Sequence, residues 1–94
     1  MNDKPYQLML FVADNQPNSV KAKQHLNKIC RKYLKDKYCM EIIDVLKDPE
    51  IALKNEVYIT PMLVVATPLP PSYVAGDMAD TDKLLAALKI EADG

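Results

Sequence analysis

Glycine is nearly absent: of 94 residues only Gly76 and Gly94 are glycine. No glycine-rich phosphate loop can be built from them, so a nucleotide would belong to a partner. Histidine occurs once, at His25, with no Cys, Asp or Glu cluster around it, and no metal set or catalytic imidazole is expected. The acidic residues are scattered and form no paired-carboxylate site. Cysteine occurs twice, at Cys30 and Cys39, with no CxxC spacing. One bridge is conceivable, but that is no disulfide framework. No apolar run approaches the ~18 residues of a membrane span, and "MNDKPYQLMLFVADN" lacks the pattern of a cleaved leader. Formal net charge is −1, which gives no overall pull toward nucleic acid or membrane. A reduced cytosolic protein without bound cofactor is the expectation.

What is present is a globular composition, 49% apolar and 27% charged. A chain of this length makes one domain, residues 1–94, and buries somewhat over roughly 60% of its unfolded surface. Internal repeats, low-complexity tracts and linkers are missing. Charge is unevenly distributed. Seven of the twelve Lys/Arg fall between Lys21 and Lys37, opposed there only by Asp36.

The periodicity predicts seven elements. "YQLMLFVA" (6–13) is a continuous apolar run too short for a good helix, and reads as a buried strand. "NQPNS" offers polar caps and a first-turn proline to a long helix. Ala22, Leu26, Ile29, Cys30, Tyr33 and Leu34 form its apolar stripe, so Cys30 reads as a small buried hydrophobe. Lys21, Lys28, Lys32 and Lys35 lie on the other side, and the helix should end near Asp36–Tyr38. "CMEIIDVL" (39–46) is a second strand. "DPE" (48–50) opens a short helix with Asp48 as cap, and Asn55 stops it. "ITPMLVVA" (59–66) is a third strand, "TPLPP" (67–71) a loop, and "SYVAGD" (72–77) a short strand ended by Gly76. "ADTDKLLAALKI" (79–90) is a final helix capped by Asp80, with Leu84, Leu85 and Leu88 inward.

The order β-α-β-α-β-β-α implies a right-handed parallel crossover and a closing antiparallel hairpin. It is the order of a thioredoxin-like α/β domain, and "ITPML" resembles the cis-proline that precedes the third strand of such domains. The resemblance makes Pro61 a turn-setting residue, cis in geometry. It places a redox pair where this chain reads "DNQPNS". There Asn15 and Asn18 bracket "QP", and an amide cannot perform thiol–disulfide exchange. A thioredoxin-fold thiol or glutathione-dependent enzyme is therefore the alternative that the missing CxxC argues against.

"LFVADNQPNSVKA", "IIDVLKDPEIA", "ITPMLV" and "GDMADTDKLL" together, in this order and spacing, closely resemble the KaiB family. The resemblance runs from about Tyr6 to Leu88. It implies a non-catalytic regulatory protein that binds a KaiC-like ATPase ring, with a KaiA-like or histidine-kinase partner as a further candidate. It also implies two accessible folds. One is thioredoxin-like and binding-competent; the other has a rearranged C-terminal half and assembles as a tetramer. Such switching needs two packings within a few kcal/mol. Pro61, Pro68, Pro70, Pro71, Gly76 and Asp77 are the candidate switch or turn positions, and each also reads as ordinary loop. Local preference favours the thioredoxin-like state. The chain departs from the family in Ser72 and Tyr73, where a basic pair is common, in "PLPP" as a broken proline run, and in ending at "EADG".

Two surfaces are candidates for partners. One is the basic helix face of Lys21, Lys28, Lys32 and Lys35, which reads equally as a solvated face. The other is the second strand, with Met40, Ile42 and Asp44, expected at a sheet edge and open to β-augmentation or simple solvation. Another arrangement is a KaiB-like sensory domain cut from a histidine kinase. The ending without linker composition favours a stand-alone protein.

Overall fold

The computed structural model describes residues 4–14 and 16–90. Asn15 and the "EADG" ending lie outside the described residues. Elements follow in the order β1 (Tyr6–Val12), α1 (Pro17–Ile29), β2 (Tyr38–Asp44), α2 (Pro49–Lys54), β3 (Met62–Thr67), β4 (Ser72–Ala75) and α3 (Thr81–Ala87). One four-stranded sheet runs β2-β1-β3-β4. β1 and β2 are parallel, with Tyr6 opposite Tyr38 and Val12 opposite Asp44. β3 is antiparallel to both β1 and β4, and Met62 faces Phe11 on one side and Ala75 on the other. The expected crossover and closing hairpin are both present, and the C-terminal half adopts the hairpin-and-helix arrangement that its local preferences favour.

Strand alternation divides the sheet into two unequal faces. Leu8, Leu10 and Val12 of β1, Leu63 and Val65 of β3 and Val74 of β4 meet Ala22, Leu26 and Ile29 of α1 and Leu84, Leu85 and Leu88 around α3. On the opposite face Phe11, Ile43 and Val64 pack against Ala52 of α2 and Val57 just beyond it. β1 is thus buried on both faces, which explains its unbroken apolar run.

Boundaries differ from the sequence expectation for local reasons. The α-helical part of α1 stops at Ile29, and Cys30–Leu34 continue as a wider turn closed by Lys35 N–H on the Cys30 carbonyl at 2.9 Å. Lys35 has φ 51°, a left-handed residue that ends the helical path before Asp36. β2 starts one residue early and ends at Asp44, whose carboxylate turns to accept from Leu46 N–H at 2.9 Å. β3 begins after Pro61 and not at Ile59, since proline has no N–H for the ladder. β4 ends at Ala75, before Gly76 at φ 97°. α3 is shorter than its apolar pattern: it starts after the Asp80 cap, and Lys89 at φ 59° ends it.

The expected Asp48 cap does not form, and of the "NQPNS" side chains it is Gln16 that stands at the N-cap of α1. Gln16 and Asp48 occupy N-cap positions without side-chain bonds to the helix. Asp80 does cap α3, accepting from Lys83 N–H at 3.1 Å.

Candidate functional site: a thiol-free cleft, a basic helix face and an open strand edge

The end of β1 delivers the chain to the start of α1, and Pro61 stands opposite. Between them lies a cleft of about 310 Å³ lined by Gln16, Pro17, Asn18, Ser19, Thr60 and Pro61. The Thr60–Pro61 peptide is cis, as are Thr67–Pro68 and Leu69–Pro70. Ser19 is buried at 1% exposure, and its hydroxyl accepts from Ala13 N–H at 3.2 Å, tying the strand end to the helix. Sequence reasoning passed over Ser19 as one more polar cap; its helical spacing to Ala22 and Leu26 was the available signal.

None of the cleft residues is a nucleophilic thiol or a titratable group. Cys30 is fully buried in the core below α1, and burial pushes its thiol from 9.0 up to about 12. Such a thiol is inert in exchange chemistry. Cys39 is half-buried on β2 and does not line the cleft. Among the described residues no three His, Cys, Asp or Glu side chains gather as a metal set. No helix among them is long and apolar enough to cross a membrane.

The basic side chains fall on one surface. Lys21, Lys28, Lys32 and Lys35 are all exposed, with Arg31 between them, while α1 turns Ala22, Leu26 and Ile29 inward. Lys32 Nζ sits 5.2 Å from the centroid of the Tyr33 ring. Lys35 lies past the helix proper, at its left-handed stop, so the four lysines are not one straight stripe.

β2 occupies one edge of the sheet and β4 the other. Of the three β2 candidates, Ile42 is 48% exposed. Met40 is half-buried and packs against the main core. Asp44 is half-buried, and its Oδ1 accepts from Leu46 N–H and, at 3.4 Å, from Asp14 N–H. Its side chain therefore shapes the turn at the strand's end, leaving Ile42 as the open apolar contact.

The switch candidates flank the hairpin: Pro61, Gly76 and Asp77 stand at its open end, and Pro68, Pro70 and Pro71 in its loop. Gly76 N–H donates to the Pro61 carbonyl at 2.9 Å. Asp77 accepts from Ala79 N–H at 3.0 Å, and its main-chain carbonyl meets His25 Nδ1 at 2.7 Å. Lys89 Nζ donates to the carbonyls of Pro68 and Pro70 at 3.0 and 2.9 Å, strapping the proline loop to the end of α3. Pro71 is exposed and directly precedes β4. Periodicity could not show the His25 and Lys89 contacts, because they join residues 52 and about 20 positions apart.

Comparison with known proteins gives a consistent picture. The KaiB domain profile matches residues 9–90. The chain is 40% identical over 87 residues to the "Circadian clock oscillator protein KaiB" of Thermostichus vulcanus, covering 93% of this chain and 81% of that one. The protein of the same name from Synechococcus elongatus is 39% identical, with 93% and 85% covered. Among solved structures, mitochondrial thioredoxin 3 from Saccharomyces cerevisiae superposes with a TM-score of 0.75 at 19% identity, over 94% of this chain and 81% of that one. The N-terminal domain of Synechococcus elongatus SasA gives 0.74 at 24% identity, over 100% and 93%. The fold is thioredoxin-like.

Proposed function

The chain belongs to the KaiB family, and from that premise we propose that it is a non-catalytic clock-type regulator that docks on a KaiC-like ATPase ring. The observation that carries the non-catalytic part is the thiol-free cleft. The position where a thioredoxin-like domain does its chemistry holds Gln16, Pro17, Asn18 and Ser19 beside Pro61. What the molecule offers instead is surface: exposed lysines on α1 and a free β2 edge with Ile42. Charge on the first speeds encounter with an acidic partner, and backbone groups on the second can extend a partner's sheet. A KaiA-like or histidine-kinase partner would compete for the same surfaces. The candidate hinge of a fold switch is Pro61 with Pro68, Pro70, Pro71, Gly76 and Asp77, and self-association as a dimer or tetramer belongs to the same reading.

Size-exclusion chromatography with light scattering tests this, on the chain alone and mixed with its cognate KaiC homologue and ATP. Prompt co-elution with the ring is expected of a monomer or dimer already in the thioredoxin-like state. A tetramer that joins over hours would mean that refolding gates binding. No complex with any nucleotide would sink the assignment. A thiol-enzyme reading is tested by insulin-disulfide reduction, for which no activity above buffer is expected.

A further inference from the structure

His25 is the one imidazole of the chain, and the sequence offers no use for it. In the structure it lines a groove of about 360 Å³ between α1 and the β4–α3 connection, with Lys28, Lys32 and Tyr33 on one wall and Met78 and Thr81 on the other. Lys28 and Lys32 are exposed, while Met78 is buried and gives the groove an apolar floor. The two carboxylates of the connection are turned to backbone donors: Asp77 accepts from Ala79 N–H and Asp80 from Lys83 N–H.

His25 Nδ1 lies 2.7 Å from the Asp77 carbonyl oxygen. A carbonyl only accepts, so Nδ1 carries the proton, and the neutral ring keeps its lone pair on Nε2. Protonation then occurs at Nε2 and adds a positive charge without breaking the bond to Asp77. Of the charged and titratable groups, Lys28, Lys32 and Tyr33 line the groove with this ring; Lys21 stands one turn before it on α1, Asp77 and Asp80 belong to the connection, and Asp82 opens α3.

We propose that this groove is a pH-graded docking site for an acidic segment of a partner protein, with Lys28 and Lys32 supplying constant charge and His25 the variable one. Charge complementarity selects the anionic side chains, and the Met78 floor selects apolar residues between them. An anion in the groove favours the imidazolium, so binding tightens as pH falls. The inference rests on the partner-docking reading and adds where, and under what control, a partner is held.

The test is titration of the isotope-labelled chain, followed by amide and imidazole shifts, with a synthetic peptide of alternating Glu and Leu. Peptide carboxylates stay ionised between about pH 6 and about pH 8, so changes over that window report the protein. The expected result is shifts grouped on residues 25–33 and 77–81, with affinity roughly two- to fivefold higher at the lower pH. His25→Asn retains an amide donor for Asp77 but cannot be protonated, and should bind with no pH dependence. The exposed pair Lys28→Gln/Lys32→Gln should weaken binding at both pH values. Shifts mapping elsewhere, a pH effect that survives His25→Asn, or no binding by the unaltered chain would each overturn the proposal. The peptide readout involves no ATPase, so failure on the ring and failure in the groove are separable.

Discussion

Burial raises the Cys30 thiol from 9.0 to about 12, because a thiolate would lose its hydration below α1 with no compensating partner. The raised value makes Cys30 a stabilising group only while it is neutral. Below the unfolded value of 9.0 both states hold the proton and the contribution is whole; between 9.0 and about 12 the unfolded chain ionises first and stability is lost. Thermal melts across that range should show a steeper decline for the unaltered chain than for Cys30→Ala. Every other side chain is common to both proteins, so the difference isolates this thiol. Parallel slopes would contradict it.

At the scale of elements, the helices differ in how their free ends are satisfied. α3 spans only Thr81–Ala87, and its side-chain cap is the bond from Lys83 N–H to Asp80. A helix this short has little intrinsic stability and depends on that cap and on the burial of Leu84, Leu85 and Leu88. Asp80→Ala should cost about 1 kcal/mol in urea unfolding, and Asp80→Asn or Asp80→Ser only a fraction of it. Gln16 and Asp48 make no such bond, so their alanine variants should fall within about 0.5 kcal/mol of the parent.

The whole molecule is lopsided. Among the described residues, fifteen buried side chains form the core under α1 and α3, whereas five form the one under α2. Local opening follows the smaller apolar contact. Amide hydrogen exchange should therefore show α2 and the 55–60 segment losing protection well before β1 and β3. Equal protection on both faces would mean that the two cores open as one unit. Leu53 at 64%, Tyr58 at 75% and Ile59 at 58% exposure lie in that weaker region, consistent with its loose packing.

Element order, the parallel crossover, the hairpin and most of the core were readable from local pattern, because period-2 and period-3.6 burial is written into the order of side chains. So was the absence of a redox pair, which is a matter of which residue types stand after β1. Other features depend on residues far apart in the chain. The unformed Asp48 cap, the early end of α1 and the turn duty of Asp44 follow from how the backbone is held at each boundary. Ser19, buried against Ala13, and Lys89, strapping Pro68 and Pro70, become meaningful only once strand end, helix and loop are in contact. His25 is the clearest case. Helical spacing alone puts Lys28 and Lys32 on its side of the helix, and only packing of the β4–α3 connection against α1 sets its tautomer and gives the groove its second wall. A hydrogen bond across 52 positions is a product of tertiary packing, and no local periodicity encodes it.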